Sequence, residues 1–245
     1  MKNVLGKIIA VWAIIIFFIP LLPVALLLWI IGFVKEPQRT KIFRATVYVW
    51  MGAWLYLCGC RLKIKGKKHF QKGKNYIITC NHNSFMDVPV STPFIPGPNK
   101  TIAKMEMSKI PIFGIIYKRG SVLVDRKNPD SRKDSFRKMR AVLENGMHMC
   151  IYPEGTRNKT DLPLTPFHEG AFRLAVDTGT AIIPAIIFNT RKVLPAGKGF
   201  FFWPAYLQMH FLPPIPVAKS DDPALLKDKV HGIMEEYYVK MKDNL

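Results

Sequence analysis

One histidine in this chain stands where it could serve as a base. The apolar stretch Tyr76–Cys80 (YIITC) runs into Asn81, His82, Asn83, Ser84, Phe85, Met86 and Asp87. Ser84 is a residue type that caps helices, and Asp87, three residues on, completes a capping box. With His82 just ahead of that cap, the first-turn carboxylate points back toward the imidazole. A carboxylate that accepts from one ring nitrogen fixes the tautomer and leaves the other nitrogen as a general base near neutral pH. Such a pair needs a hydroxyl to act on. No Gly-x-Ser-x-Gly elbow occurs in the chain, so a serine nucleophile of the hydrolase kind has no support and the hydroxyl is expected to belong to a substrate. Capping accounts for the oxygen of Ser84. Read without chemistry, the same residues are an ordinary helix start.

A second stretch pairs cations with a glycine. The strand-like HMCIY (148–152) leads into Pro153, Glu154, Gly155, Thr156 and Arg157. A glycine after a buried strand lets a ligand approach the backbone, and ligands favour the carboxyl edge of α/β sheets. The planar fork of Arg157 suits a phosphate; the alternative is a plain loop holding an internal Glu–Arg pair. Arg126 ends the strand-like GSVLVDR (120–126) in a similar place, and Lys104 follows the short apolar stretch Thr101–Ala103, as a further cation or as a surface lysine.

These residues need a sheet to hold them. Residues 76–80, 121–125, 148–152, 181–188 and 207–212 read as strands of a mostly buried sheet, and the alternation in RLKIK (61–65) as an edge strand. Ser131–Asn145 reads as a helix, with Ser131 and Asp134 as its capping box, Phe136, Met139, Val142 and Leu143 on one face and Gly146 as a stop. Gly170–Thr178 and Pro223–Met241 are further helices. Strands alternating with helices define an α/β domain.

The amino terminus has another character. Residues 8–34 carry no charge, long enough to cross a bilayer at about 20 residues per crossing. No signal-peptide cleavage site follows, and Pro20 and Pro23 fall near the middle. One kinked transmembrane helix or a hairpin entering one leaflet fits this pattern; the hairpin, which puts both basic flanks on the cytoplasmic side, is preferred. Residues 42–57, rich in Trp and Tyr, read as an interfacial helix or as a core helix of the domain. Residues 1–60 are thus expected to form a membrane anchor and 61–245 the α/β domain.

Composition agrees. Lys and Arg number 36 against 17 Asp and Glu, a net charge of +19, while 49% of residues are hydrophobic. That excludes a disordered basic tail and is unusual for a soluble enzyme. Residues 61–74 hold seven Lys and Arg with no acid, a face suited to anionic lipid. No nucleic-acid-binding pattern accompanies it, and nucleic acid is not an expected partner. Cys58, Cys60, Cys80 and Cys150 lack the two spaced pairs of a structural zinc site, so no metal is expected.

In chain order, NHNSFMD, GSVLVDR, YPEGTR and AIIPAIIF around Pro184 resemble the His-x4-Asp block and the three later blocks of the glycerolipid acyltransferases of the 1-acylglycerol-3-phosphate acyltransferase (PlsC-like) family. The resemblance covers roughly residues 76–188. It implies a mixed α/β sheet flanked by helices, of the glycerol-3-phosphate acyltransferase-like kind, with an amino-terminal membrane-embedded segment. It implies acyl transfer from acyl-CoA or acyl-carrier protein to the sn-2 hydroxyl of lysophosphatidic acid, at the cytoplasmic face of the cell membrane and with no cofactor beyond the donor. Another lyso-lipid, such as lyso-ornithine lipid, is the alternative acceptor, and a non-catalytic cationic module the remaining one. Mapped residue by residue, His82 is the base and Asp87 its orienting carboxylate. Arg126 and Arg157 hold phosphate, Glu154, Gly155 and Thr156 belong to the binding site, and Lys104 joins from an Ala-Lys-x-Glu stretch. A backbone N–H near Gly155 is the expected oxyanion donor. His168 departs from the lysine the family often carries there.

Overall fold

The computed structural model describes residues 2–125, 127–195 and 199–242. In chain order its elements are α1 (Lys2–Phe18), α2 (Leu21–Ile30), α3 (Gln38–Leu57), β1 (Arg61–Lys65), β2 (Ile77–Cys80), α4 (Asp87–Ser91), β3 (Asn99–Lys104), α5 (Phe113–Gly120), β4 (Ser121–Val124), α6 (Pro129–Glu144), β5 (His148–Ile151), α7 (Gly170–Thr178), β6 (Ile182–Phe188), α8 (Thr190–Val193), β7 (Tyr206–Phe211) and α9 (Pro223–Lys242). The seven strands form one sheet in the order β1-β7-β6-β2-β5-β3-β4. All neighbours are parallel except β6 and β7. The carboxyl ends of β2, β3, β4, β5 and β6 therefore share one edge, opposite in direction to β1 and β7.

Continuous apolar runs make the central strands because both faces are covered. On β5 and β6, Met149, Ile151, Ile182, Ile186 and Phe188 face a core with α6, α7 and α9. The alternating Cys150, Ile183, Ala185 and Ile187 face a second core built with α1, α2 and α3. The amino-terminal residues are thus one layer of the sandwich. Of the two readings for residues 42–57, α3 meets the core one along Phe43, Val47, Trp50, Met51, Trp54 and Leu55, while Tyr48, Val49, Tyr56 and Leu57 stay exposed.

The reversal expected at Pro20–Pro23 is absent. Trp12 Nε1 donates to the Leu57 carbonyl (3.0 Å), Trp54 Nε1 to the Ala13 carbonyl (2.8 Å), Phe17 stacks on Trp50 (4.8 Å) and Arg39 reaches the Gly32 carbonyl (3.5 Å). Positions rising along α1 meet positions falling along α3, α2 packs on α5 with Arg119 Nε donating to the Leu28 carbonyl (3.1 Å), and Gly32 just after α2 meets the start of α3, so Lys2–Phe33 is one kinked rod running opposite to α3. The prolines bend it without reversing it because Pro23 falls in the first turn of α2, where a missing N–H costs little, and Val24 N–H still finds the Pro20 carbonyl (3.0 Å). The reversal lies at residues 34–37.

Two other local expectations shift. β3 was too short an apolar stretch to register as a strand in the sequence. On α6 the cap is Asn128, whose Oδ1 accepts from Asp130 and Ser131 N–H with Pro129 at the first position; Ser131 instead accepts from Asp125 N–H (2.9 Å), tying the helix to the end of β4.

Glu36 fastens the reversal to the sheet. Its carboxylate takes Arg39 (2.7 Å), Lys100 of β3 (2.8 Å) and the N–H and hydroxyl of Thr40. Burial opposes its charge, but Lys100, Thr40 and Arg39 outweigh that and bring its pKa down to about 2. A carboxylate with a depressed folded pKa stabilises above the ordinary carboxylate range and loses that contribution as pH falls toward the depressed value. Glu36→Gln should cost about 1–2 kcal/mol at pH 7. In thermal melts of the detergent-solubilised protein, the gap between wild type and variant should close on acidification toward about pH 2; a gap unchanged across that range contradicts the assignment.

Candidate active site

β2 delivers the histidine to the sheet edge, and Asn81 decides where the chain goes next. Fully buried, its carboxamide accepts from Ile187 N–H (2.7 Å) and donates to the Ile187 carbonyl (3.0 Å), so the chain leaves β2 locked onto β6. Sequence reading passed over this residue; its signal is a carboxamide, with both donor and acceptor, directly after a buried strand.

Asp87 is the first residue of α4 and is wholly buried. One oxygen, Oδ2, lies 2.8 Å from His82 Nδ1 and accepts the N–H groups of Asn83 (2.6 Å) and Ser84 (2.7 Å). An oxygen that accepts from two amides is an acceptor for the ring as well, so Nδ1 carries the proton and the lone pair is on Nε2. The histidine side chain keeps 19% exposure, enough for a substrate to reach it. The capping box expected of Ser84 and Asp87 forms only in part. The carboxylate serves Ser84 N–H, but the helix starts at Asp87, and Ser84 Oγ accepts from Met86 N–H (3.2 Å) while donating to the Leu194 carbonyl (2.9 Å). Turning Asp87 toward the imidazole shifts the helix start. The serine hydroxyl is occupied by backbone.

β5 brings the second stretch alongside. Burial pushes the Glu154 carboxyl above its ordinary range, opposed by its donors from Thr165 and His82. Oε1 accepts the backbone N–H of His82 (2.6 Å) and Oε2 the N–H of Thr165 (3.0 Å) and its hydroxyl (2.5 Å). The Asn158 N–H donates to the His82 carbonyl (2.7 Å). Both peptide groups of His82 are therefore held by the loop after β5. Gly155 has φ +68, and a Cβ there would sit 2.7 Å from the His168 ring, which explains the glycine beside that histidine. The turn is tight enough that Gly155 N–H donates to the Tyr152 carbonyl (3.0 Å) and Thr156 N–H to the Glu154 carbonyl (2.7 Å). The Gly155 N–H is thereby engaged within the turn.

Tyr152 is a second residue that sequence reading passed over. Its ring packs on the His82 ring at 4.5 Å, and its hydroxyl lies 2.6 Å from Ser91 Oγ, one helical turn beyond Asp87. It packs on a face of the imidazole, while Asp87 holds the ring at its Nδ1 edge.

The remaining candidates are less closely joined. The Arg157 guanidinium lies 3.4 Å from the Phe85 ring centroid, a cation–π stack that leaves its N–H edge available to a phosphate. With Ser84 and Phe85 it lines a cavity of about 370 Å³ closed on the other side by Ala10, Ala13 and Phe17 of α1. His82 is absent from that lining; the cavity meets its loop two residues further on. Thr156 is exposed beside Arg157, and Lys104 is exposed at the carboxyl end of β3, two strands from β2. Arg126 lies outside the described residues.

Residues 61–188, over half of the chain, match the Acyltransferase family model. Sheep 1-acyl-sn-glycerol-3-phosphate acyltransferase alpha is 31% identical over 183 residues, 73% of this chain and 63% of the relative. A Saccharomyces cerevisiae 1-acyl-sn-glycerol-3-phosphate acyltransferase is 28% identical over 192 residues, 77% of this chain and 61% of the relative. The chain thus spans a little under two thirds of the length of these proteins. The crystal structure of the 1-acyl-sn-glycerophosphate (LPA) acyltransferase PlsC from Thermotoga maritima superposes with a TM-score of 0.82 at 20% identity, covering 99% of this chain and 98% of that one. The fold is therefore that of the PlsC structure, and the chain belongs to the acyltransferase family.

Asn81→Ala strands the buried N–H and carbonyl of Ile187 at once. It should destabilise by about 2–4 kcal/mol in chemical unfolding, whereas His82→Ala, at a partly exposed ring, should cost less than about 1.5 kcal/mol. Equal losses would remove Asn81 from the foundation of the site.

Proposed function

We propose that this chain transfers an acyl group from a thioester donor, acyl-CoA or acyl-carrier protein, to the sn-2 hydroxyl of 1-acyl-glycerol-3-phosphate, giving phosphatidic acid. The observation that carries this reading is the His82 Nδ1–Asp87 Oδ2 contact at 2.8 Å on the edge where the family's other blocks also end. The names of the relatives supply the substrate class.

An alcohol is a poor nucleophile at neutral pH, and a positioned base contributes about 10²- to 10⁴-fold. In this scheme Nε2 takes the hydroxyl proton as the oxygen attacks the thioester carbonyl. The tetrahedral intermediate collapses by breaking the C–S bond, and the imidazolium returns the proton to the departing thiolate. Asp87 stabilises the imidazolium that exists between those steps. The thioester is already activated, so the scheme calls for no metal. Arg157 holds the acceptor's phosphate, with Arg126 and Lys104 as further cations of that site. Glu154 acts through His82, because its oxygens are engaged by His82 and Thr165.

The setting is a bilayer. Lys2–Phe33 is long and apolar enough to cross a membrane, yet only 22% of its most apolar window is buried. Packed on α3 through α1 and on α5 through α2, the rod leaves Ile8, Val11, Ile15, Leu22, Leu26 and Trp29 exposed. A rod attached to the domain along its length lies more naturally in one leaflet than across two. Arg61, Lys63 and Lys65 face water on β1, with Lys67, Lys68, Lys72 and Lys74 exposed after it, a cationic surface for anionic lipid at the cytoplasmic face.

In assays of purified protein with a panel of lyso-lipids, His82→Ala should lower kcat by at least about 10²-fold. Arg157→Ala should raise KM for phosphate-bearing acceptors about tenfold and leave KM for the donor within about twofold. The reverse split would assign Arg157 to the donor. Product with lyso-ornithine lipid alone would replace the acceptor proposed here, and no product with any acceptor would leave a binding module.

A further inference from the structure

The connection between β3 and α5 holds a backbone conformation that few residues adopt. Ile112 has φ 61 and ψ −55, and Phe113 N–H donates across it to the Pro111 carbonyl (2.6 Å), closing a γ-turn. A β-branched residue is disfavoured there more than most, so the surroundings must impose the shape. They do so through Gly114 N–H to the Ile110 carbonyl (2.7 Å), Ile115 N–H to the Ile112 carbonyl (3.1 Å), and Gly114, whose Cβ would lie 2.3 Å from the Ser108 carbonyl oxygen. The consequence is an apolar tip. Ile110 is 42% and Ile112 43% exposed, Pro111 between them is exposed, and neither isoleucine belongs to either core.

The tip stands beside two things that matter. It follows Lys104 and Lys109, both exposed, from the edge that carries His82 and Glu154. Its next residue, Phe113, packs its ring 6.0 Å from Phe17 of α1, whose neighbours Ile14 and Phe18 are exposed. The tip therefore adjoins α1 through Phe113, with two exposed lysines preceding it in the chain.

We propose that Ile110–Ile112 is a second membrane contact, seated in the boundary between headgroups and acyl chains of an anionic bilayer beside α1. A tip of three consecutive apolar residues is too small for a stable protein interface, while flanking lysines and continuity with α1 match a lipid surface. The strained turn leaves both isoleucines exposed, where continuing α5 back through them would set i and i+2 on opposite sides of the helix. The inference rests on the reading that the chain works at a bilayer.

The four native cysteines are all buried, so an introduced thiol can be labelled selectively. An environment-sensitive fluorophore is placed at Ile112→Cys, at Ile14→Cys on α1 and at Glu144→Cys at the end of α6, in full-length protein on phosphatidylglycerol/phosphatidylethanolamine vesicles. Labels at 112 and 14 should be quenched by lipid-borne nitroxide and protected from iodide about threefold or more relative to 144. Iodide access at 112 equal to that at 144, with 14 protected, overturns the inference alone; equal access at all three overturns the bilayer reading too. Protection at 112 without nitroxide quenching means that protein covers the tip, which also overturns it. Ile112→Gly suits the backbone but removes the side chain. It should raise the thermal midpoint in detergent, lower turnover of vesicle-borne acceptor about three- to tenfold, and leave turnover of a short-chain monomeric acceptor unchanged. Loss on both acceptors alike, or on neither, counts against a membrane role.

Discussion

One carboxylate oxygen carries the geometry of this site. Asp87 Oδ2 receives the His82 ring and two successive backbone amides within 2.8 Å, from the first residue of a buried helix. The two amides do more than satisfy the oxygen. They curl residues 82–84 around it, so the loop that presents the imidazole and the group that fixes its tautomer are a single unit. The price is a capping arrangement that is only half formed, and Ser84 turns to the Leu194 carbonyl instead.

That unit is held from outside by residues on the two neighbouring strands and the loops that follow them. Asn81 anchors the chain before it to β6, Glu154 and Asn158 hold both peptide groups of His82, and Tyr152 closes the face of the ring. Because β2 lies between β5 and β6, the three strands that contribute these anchors are immediate neighbours. The helix layer of α1 to α3 then covers one face of the same sheet and closes a cavity that reaches the histidine's loop. The exposed apolar rod and the His82 site are thus parts of one packed body, which suits the membrane lipid proposed as the acceptor.

Much of this was legible in the residues. The central strands announced themselves as unbroken apolar runs, and α9 and α6 by their spacing, because burial on one stripe or on both faces leaves those periods in the sequence. The His82–Asp87 contact followed from five-residue spacing across a turn. What stayed hidden depends on contacts distant in sequence. Asn81 meets a peptide 106 residues away and Glu154 meets His82 across 72. The direction of the rod at Pro20 differs from the expected reversal because a proline marks where hydrogen bonds are lost but not which way the chain continues; the contacts beyond the prolines, Arg119 with the Leu28 carbonyl and Arg39 with the Gly32 carbonyl, decide that. β3 was missed because its run is short and includes Lys100, which is neutralised by Glu36 from another part of the chain.

The proposed reaction depends on Asp87 orienting and stabilising the histidine as it takes up a proton. Asp87→Asn keeps an acceptor for the two amides while removing the negative charge facing the ring. With folding verified by an unchanged circular dichroism spectrum, kcat of the variant should fall by about 10²- to 10⁴-fold while KM for donor and acceptor stays within about twofold. A kcat within a few-fold of wild type would contradict that role for Asp87.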